Sequence, residues 1–195
     1  SWSLITGHGH HAMNSVKALN HNEVFLAGDN YVTHTTDGGQ TWESMKYNLP
    51  DYQGIYCMHV QGPVTALPLD EYTSLMVSND NGLYKLDPNS EQWEQILSQS
   101  CKSITQDFIQ IDTFIYWTET YVVTWDNRVL FCKDMDFDNW QDVTNGLPAN
   151  PIDIEASYQG VFVALQGGGV YRSSGWDVVD VAPSMPIITL NAFPN

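Results

Sequence analysis

The sequence predicts an all-β fold made of four-stranded antiparallel sheets, and three repeating features predict it. Segments of the form Trp-x-x-apolar recur along the chain, with their tryptophans 40, 51, 47 and 36 residues apart. Upstream of each internal tryptophan, an apolar strand enters a tight polar turn and a second apolar strand leaves it. A short apolar segment precedes each of these hairpins. This period is typical of a β-propeller, in which each blade is a meander of four strands, A to D.

Four complete blades are predicted, each with its strands in the same order. The blades cover approximately residues 13–45, 64–96, 112–143 and 152–180. Strand A opens each blade, as VKAL at 16–19, VTAL at 64–67, FIYW at 114–117 and IDIE at 152–155. Strand D closes each blade with its tryptophan, in TWESM at 41–45, QWEQI at 92–96, NWQDV at 139–143 and GWDVV at 175–179. No stretch has a helical period of apolar residues over three turns.

The hairpins between strands B and C are the most regular element of the repeat. They are predicted at residues 24–34, 75–85, 121–131 and 161–172. Their turns read Asp29-Asn30, Asp80-Asn81, Asp126-Asn127 and Gly167-Gly168. Asp, Asn and Gly tolerate the positive φ angles of a two-residue hairpin turn. The turn residues therefore agree with the strands on either side of them.

Each end of the chain carries one further strand. Residues 2–6 match strand D, and residues 187–190 match strand A. Propellers commonly close by pairing strands from both ends of the chain in one blade, which removes exposed sheet edges. That blade would lack strands B and C here, so we expect residues 1–195 to be a single propeller domain from a longer chain. The total number of blades and the oligomeric state are left open.

Composition restricts the partners. The chain has 23 Asp and Glu against 7 Lys and Arg, which gives a net charge of −16. Such a surface repels nucleic acid and anionic membranes, and leaves cations, basic proteins and neutral sugars. No apolar run approaches the roughly 20 residues of a membrane-spanning helix. Cys57, Cys101 and Cys132 fit no metal-binding spacing, and we expect them to be small buried hydrophobic residues rather than disulfide partners.

The segment TTDGGQTW at residues 35–42 resembles the Asp-box, Ser/Thr-x-Asp-x-Gly-x-Thr-Trp. The box occurs in sialidases, sortilin-type receptors and other secreted propellers, where it forms the hairpin between strands C and D. The blade pattern covers the whole chain, but only this copy of the motif is complete. A short Asp side chain accepts backbone hydrogen bonds, and Gly permits a left-handed conformation. We expect a structural staple rather than a catalytic site, formed by Thr35, Asp37, Gly39, Thr41 and Trp42.

The arginine count bears on catalysis. Sialidases grip the substrate carboxylate with three arginines, whereas this chain has only Arg128 and Arg172. A pair of carboxylates, as a glycosidase needs, is expected by chance among 23 acidic residues. No spacing typical of a Ser/His/Asp, Cys/His or zinc-protease site is present. We therefore expect a non-catalytic protein, with a glycoside hydrolase whose site lies partly beyond residue 195 as the alternative.

The resemblance also implies where a ligand binds. In propellers the B–C turns and the D–A connections lie on one face, and the C–D hairpins lie on the other. The binding face would then collect Asp29, Asp80 and Asp126 from three B–C turns. Carboxylates suit calcium, but Asp-Asn is also what the turn geometry favours. Calcium is therefore one of two interpretations of these turns.

The first D–A connection adds a histidine-rich segment, GHGHHAMN at residues 7–14, to the same face. It contains His8, His10 and His11, and imidazoles near carboxylates suit zinc or copper. The alternative is a solvated loop with no ligand. We assign no cofactor, and keep Ca²⁺ and Zn²⁺ as open alternatives.

Trp125 lies outside the repeating strand D position, beside the Asp126-Asn127 turn. A tryptophan at a hairpin tip is either a packing residue between blades or an exposed platform for recognition. Arg128 follows the same turn and is a further candidate for ligand contact. Tyr52 and Tyr56, in the second D–A connection, are lesser candidates of the same kind.

The last residues, ITLNAFPN, resemble the start of the C-terminal sorting domain of Bacteroidetes type IX secreted proteins. An equally good interpretation is that they form the next strand A and its turn. Either way, the acidic Asp-box chain favours a secreted or cell-surface location. The predicted function is a non-catalytic recognition module that binds a glycan or a protein through the loops of one propeller face. The alternatives are the glycoside hydrolase and a structural or assembly factor at the surface.

Overall fold

The computed structural model describes residues 12–29, 31–51, 54–61, 74–87, 89–112, 115–133, 137–157 and 160–173. These residues contain fifteen β-strands in four sheets, and each sheet follows the order of the chain. In the described ranges, no helix is present that is long and apolar enough to span a membrane. The fold is therefore all-β, as predicted.

The four sheets are antiparallel meanders. Sheet 1 consists of β1 (Met13–Ala18), β2 (Val24–Gly28), β3 (Tyr31–Thr35) and β4 (Glu43–Ser44). Sheet 2 consists of β5 (Cys57–Gln61), β6 (Ser74–Asn79), β7 (Gly82–Asp87) and β8 (Gln92–Leu97). Sheet 3 consists of β9 (Cys101–Asp112), β10 (Ile115–Thr124), β11 (Val129–Cys132) and β12 (Gln141–Asp142). Sheet 4 has the described strands β13 (Pro151–Ser157), β14 (Gly160–Leu165) and β15 (Val170–Arg172).

Sheets 1 to 3 each have four strands in the predicted order A to D, sheet 4 has the described strands A to C, and the predicted B–C hairpins are all present. Gly28 pairs with Tyr31 around the first turn, and Asn79 pairs with Gly82 around the second. The predicted strand D of sheet 4, at residues 175–179, lies outside the described residues. The same holds for the predicted terminal strands at 2–6 and 187–190.

Two predicted A strands are in the wrong place. In sheet 2, strand A is β5 at Cys57–Gln61, not residues 64–67, which lie outside the described part of the chain. In sheet 3, strand A is β9, and most of the predicted segment 114–117 belongs to β10 instead. The reason is composition, since β9 reads CKSITQDFIQID and Ser103, Thr105 and Gln106 are buried polar residues. A search for apolar runs passes over such a strand.

The chain divides into two compact units, one up to Cys101 with sheets 1 and 2, the other from Lys102 with sheets 3 and 4. The core of the first unit joins the two sheets and the connection between them. It comprises Phe25, Ala27, Val32, Met45, Leu49, Ile55, Met58, Leu75, Val77, Tyr84, Leu86 and Trp93. Each buried aromatic or branched side chain contributes roughly 1.5–3 kcal/mol by leaving water, so this face holds the unit together.

Trp93 shows why a tryptophan recurs in strand D. It lies in β8 and is only 4 % exposed, within the core shared by sheets 1 and 2. Its indole Nε1 donates to the carbonyl of Met45, 2.9 Å away. Its backbone N–H donates to Asn48 Oδ1 at 2.6 Å, and Asn48 Nδ2 donates back to the Trp93 carbonyl at 3.0 Å. The residue therefore fastens strand D of sheet 2 to the end of sheet 1.

The second unit repeats this arrangement with different residues. Its core comprises Tyr121, Val123, Val129, Phe131, Ile154, Val161, Val163 and Leu165. The strands β9 and β13 are joined by side chains, because the Ser103 hydroxyl donates to the Asp153 carboxylate. The Ala156 N–H also donates to Thr105 Oγ1 at 3.1 Å. The polar residues of β9 therefore serve to connect sheet 3 with sheet 4.

Candidate functional site

The Asp-box hairpin runs from the end of β3 to the start of β4, as predicted for a C–D hairpin. The Asp37 carboxylate receives hydrogen bonds through both oxygens. Oδ1 accepts from Thr35 Oγ1 at 2.8 Å and from the N–H groups of Gln40 and Thr41 at 2.9 Å each. Oδ2 accepts from Thr41 Oγ1 at 2.7 Å. These bonds, the backbone bond to Thr41 foremost, lower the pKa of Asp37 to about 2.

The glycines and the tryptophan of the box complete the turn. Gly38 and Gly39 have φ values of 72° and 89°, a region that favours glycine. Gly39 N–H donates to Thr35 Oγ1 at 3.0 Å, and Trp42 Nε1 donates to the Gly39 carbonyl at 3.2 Å. Gly38 N–H donates to the Asn22 carbonyl at 2.9 Å. The polar groups of the box are therefore engaged in local contacts, which is how a structural turn uses them.

Each sheet has a loop end, which we define as the end that carries the hairpin between its second and third strands. In an antiparallel meander, successive hairpins lie at opposite ends, so the Asp-box lies away from the loop end of sheet 1. The connections between successive sheets reach the loop ends in both units. Asn81 Nδ2 donates to the Asp51 carbonyl at 3.3 Å in the first unit. Gln166 N–H donates to the Asn150 carbonyl at 2.8 Å in the second.

The loop end of the first unit is acidic and phenolic. Asp80, in the turn of sheet 2, accepts a hydrogen bond from the Tyr56 hydroxyl, and this bond is the main cause that raises the pKa of Tyr56. The Ser100 hydroxyl donates to the Asp80 carbonyl at 3.1 Å. Asp29, in the turn of sheet 1, is exposed, and its N–H donates to the Ala12 carbonyl at 3.1 Å. Asp80 is therefore held by side chains from outside its turn, and Asp29 is held through its backbone.

The loop end of the second unit carries an exposed tryptophan. Trp125 is 55 % exposed at the tip of the β10–β11 hairpin. The Lys102 ammonium lies 5.5 Å from the centroid of the indole ring, within the range of a cation–π interaction. Lys102 Nζ also donates to Asn127 Oδ1 at 2.6 Å. An aromatic surface and a positioned cation are thereby combined at one turn.

The same turn carries an ion pair. Arg128 Nη2 lies 2.7 Å from Asp126 Oδ2, and Arg128 Nε donates to the same oxygen at 2.9 Å. The hydrogen bond from Arg128 is the largest cause that lowers the pKa of Asp126, and the Thr124 hydroxyl adds a second bond. In turn, the hydrogen bond to Asp126 raises the pKa of Arg128, and the charges of Asp126 and Asp142 act in the same direction. Both side chains are thus charged over the whole neutral range.

The structure places the predicted site residues in separate groups. Trp125, Asp126 and Arg128 share one turn in the second unit, whereas Asp29 and Asp80 belong to two turns of the first unit. The histidines His8, His10 and His11 lie outside the described residues, as does Tyr52. Among the residues that are described, no three His, Cys, Asp or Glu side chains are grouped in a way that could hold a metal ion. The three cysteines are thiols, and Cys101 and Cys132 are buried.

Sequence reasoning missed Lys102, Asn127 and a buried pair in sheet 1. Lys102 was hidden because strand A of sheet 3 was expected eleven or more residues later, near position 114. Asn127 has a φ of 67°, which the Asp-Asn turn signal implies, but its contact with Lys102 is not local. The pair joins His34 Nε2 to Glu23 Oε1 at 3.1 Å beside the Asp-box. The sequence gives no signal for this pair, because Glu23 precedes β2, His34 lies in β3, and their approach depends on how the two strands pair.

Comparisons with known proteins support the fold. No protein-family model and no curated protein sequence matches the chain. Among solved structures, BBS1N in complex with ARL6DN matches with a TM-score of 0.59 and 14 % identity, over 83 % of this chain and 49 % of that one. YCF48 from Cyanidioschyzon merolae matches with a TM-score of 0.47 and 14 % identity, over 93 % of this chain and 72 % of that one. YCF48 bound to D1 peptide matches with a TM-score of 0.45 and 14 % identity, over 84 % and 63 %.

The first of these matches shows a fold shared with β-propeller proteins, in agreement with the four-stranded antiparallel sheets. The chain spans about half the length of that structure. At this level of identity the likeness concerns the fold alone. It leaves the ligand to be argued from the residues of the loop ends.

Proposed function

We propose that the protein is a non-catalytic recognition module, secreted or displayed at the cell surface, that binds a glycan or a protein through its loop ends. The observation that carries this proposal is the exposed indole of Trp125, held at a hairpin tip among charged side chains. Exposed aromatic residues on loops that a rigid sheet positions are common in recognition surfaces. The Asp-box resemblance and the acidic composition support an extracellular location.

The carboxylates at the loop ends favour binding over hydrolysis. A glycosidase needs one carboxylic acid whose pKa is raised so that it can donate a proton. The pKa of Asp126 is instead lowered by its bond to Arg128, and Asp80 accepts the Tyr56 hydroxyl. Both groups are therefore acceptors with partners. The described loop ends hold fixed polar groups that suit recognition.

Arrays of oligosaccharides and of peptides, probed with the purified chain, test this function. We expect saturable binding to at least one oligosaccharide or peptide on the arrays. At least one of the two variants, Trp125→Ala or Tyr56→Ala, should lose that binding. The matched control is Val16→Ala, which changes an exposed apolar residue in β1 away from the hairpin turns. Hydrolysis of a bound oligosaccharide, or binding that survives both loop-end substitutions, would contradict the proposal. Detection of the native protein only in the cytosolic fraction would contradict the proposed location.

A further inference from the structure

We propose that the β10–β11 turn together with Lys102 forms a binding site for a neutral saccharide. This inference rests on the proposed recognition function, and it narrows that function to one turn and one class of ligand. The site consists of the Trp125 indole, Lys102 Nζ, the Asn127 amide and the Asp126–Arg128 pair. Its components belong to one compact unit.

The indole provides the apolar half of the site. Sugar rings present faces of C–H groups, which pack against the flat surface of an aromatic side chain and exclude water from it. Trp125 keeps 55 % of its surface exposed although Lys102 lies on one side of the ring. A pyranose ring is about as large as the six-membered ring of the indole. The exposed part of Trp125 is therefore sufficient to pack against one sugar residue.

The polar groups provide donors and acceptors in balance. Lys102 and Arg128 supply N–H donors, while Asp126 and the Asn127 carbonyl oxygen supply acceptors. A sugar hydroxyl both donates and accepts, so it can exchange hydrogen bonds with either kind of group. Such mixed sets around an aromatic surface suit polyhydroxylated ligands. A ligand with only donors or only acceptors would leave half of these groups without a role.

The charges identify the ligand as neutral. The charges of two carboxylates, Asp126 in the turn and Asp142 in β12, act on Arg128, and Lys102 adds a second cation beside the indole. These four groups carry two positive and two negative charges, so together they have no excess charge with which to select an ion. The chain as a whole carries a net charge of −16, which opposes the approach of anions. A neutral ligand is the one class that neither the local balance nor the total charge disfavours.

The turn is held in place before any ligand arrives. Thr124 N–H donates to the Arg128 carbonyl at 2.9 Å, and Asn127 N–H donates to the Thr124 carbonyl at 3.1 Å. Arg128 N–H donates to Thr124 Oγ1 at 3.0 Å. Thr124 is itself buried in the sheet. Because the backbone is already ordered, binding costs little conformational entropy, which favours even a small ligand.

The other described loop ends differ in ways that single out this turn. The turns of the first unit carry Asp29 and Asp80, and Asp80 accepts a hydrogen bond from the Tyr56 hydroxyl. The turn of sheet 4 has the glycines Gly167–Gly169 and no aromatic side chain. Among the hairpin turns between the second and third strands, the β10–β11 turn is the one that carries a tryptophan.

Titration of the ¹⁵N-labelled chain with cellohexaose, xylohexaose, mannohexaose and maltohexaose tests the inference. We expect at least one of these neutral oligosaccharides to bind, and to shift the indole N–H resonance of Trp125, which is identified as the signal lost in Trp125→Phe. Trp125→Ala should weaken binding by roughly tenfold or more, since aromatic stacking is worth about one factor of ten. Trp125→Phe should retain part of the affinity, because it keeps a ring.

Hexagalacturonate serves as the matched anionic probe, and we expect it to bind more weakly than the neutral oligomers. Tighter binding of hexagalacturonate would overturn the charge argument. Binding of a neutral oligomer that Trp125→Ala leaves unchanged would overturn the site, while recognition by the loop ends would stand. Binding of none of the four, together with peptides captured on the array through loop-end residues, would overturn the saccharide but leave the broader function intact. Circular dichroism of each variant establishes that the sheets are retained.

Discussion

The two units share one architecture but use their loop ends differently. In both units two meandering sheets enclose an apolar core, and the connection between the sheets reaches the hairpin turn of the second sheet. In the first unit that turn carries Asp80, engaged by Tyr56. In the second unit the turn of sheet 3 carries the exposed Trp125, with Lys102 beside its ring and the Asp126–Arg128 pair in the same turn. The comparison teaches that the sheets supply the frame and that a few turn residues decide what each unit can bind.

The units also differ in how they fasten strands C and D. Sheet 1 uses a complete Asp-box, in which one carboxylate accepts four hydrogen bonds. In sheet 3 the buried ring of Phe137 instead stacks with the ring of Trp140, and their centroids are 6.1 Å apart. A set of hydrogen bonds to one carboxylate in the first unit thus corresponds to an aromatic contact in the second. The carboxylate of the Asp-box should therefore make the stability of the first unit depend on pH. The aromatic contact in sheet 3 contributes no such dependence to the second unit.

The largest effect is expected from the tryptophan that joins sheets 1 and 2. Trp93→Ala removes a buried ring and the indole bond to Met45, and should lower the free energy of unfolding by about 3–5 kcal/mol. Urea unfolding followed by circular dichroism measures this loss. Trp125→Ala is the matched control, because its ring is largely exposed and it should cost far less. Similar losses in the two variants would remove the distinction between core and recognition tryptophans.

A smaller effect on stability is expected from Asn48, whose side chain forms hydrogen bonds with the backbone of Trp93. Asn48 exchanges two hydrogen bonds with the Trp93 backbone, at 2.6 and 3.0 Å. Asn48→Ala should lower the free energy of unfolding by about 1 kcal/mol, as is usual for hydrogen bonds near the surface. The same urea experiment measures it, with Asn89→Ala in the exposed β7–β8 turn as the control. An unchanged midpoint of urea unfolding would show that these two hydrogen bonds add no stability beyond the packing of the indole.

The Asp-box gives the first unit a pH dependence. The pKa of Asp37 is about 2 in the folded chain against 3.8 in the absence of its contacts. Because the folded value is the lower one, the stabilisation is complete above about pH 4 and is lost as the pH falls toward 2. Asp37→Ala should lower the melting temperature by roughly 2–4 °C at neutral pH. The difference between wild type and variant should shrink as the pH falls through this window.

Differential scanning fluorimetry between about pH 2 and 7 measures that difference. Asp138→Ala is the matched control, since Asp138 is an exposed aspartate of the second unit for which no box contacts exist in the described hairpin. A gap between wild type and Asp37→Ala that stays constant down to the lowest pH would contradict the role given to the carboxylate. If the difference in melting temperature between wild type and Asp138→Ala has the same pH dependence, the effect is a general one of acidic pH rather than of the Asp-box.

The smallest effect on stability is expected at the recognition turn. The Arg128–Asp126 pair is largely solvent-exposed, so Arg128→Ala should change the free energy of unfolding by less than about 1 kcal/mol. Binding of a neutral oligosaccharide should nevertheless weaken, because a donor of the same turn is lost. Urea unfolding and titration calorimetry on the same sample separate the two effects. A large loss of stability with unchanged binding would assign the pair to the fold.

Sequence alone predicted the strand order, the B–C hairpins and the Asp-box hairpin because their signals are local. Turn residues such as Asp80-Asn81 and the spacing from Thr35 to Trp42 fix short stretches of backbone without help from elsewhere. Strand A of sheet 3 was misplaced because several of its buried residues are polar. Thr105 in β9, for example, is satisfied by the Ala156 N–H of another sheet, a contact that no local pattern encodes.

The candidate site was predicted in part for the same reason. Trp125, Asp126 and Arg128 were found because they are neighbours in the chain and sit at a recognisable turn. Lys102 was not found, because its approach to the indole crosses from β9 to a hairpin 23 residues away in the sequence. Contacts of that kind depend on the packing of strands. They become visible only when the sheet is assembled.

The central claim is that the loop end of the second unit recognises a neutral saccharide through Trp125. The most direct test is the indole region of the ¹H–¹⁵N spectrum of the labelled chain, recorded during titration with the neutral hexasaccharides. The account predicts a saturable shift of the Trp125 resonance while the resonance of the buried Trp93 stays in place. Saturable binding that leaves the Trp125 resonance unmoved, or no binding by any of the oligosaccharides, would contradict it.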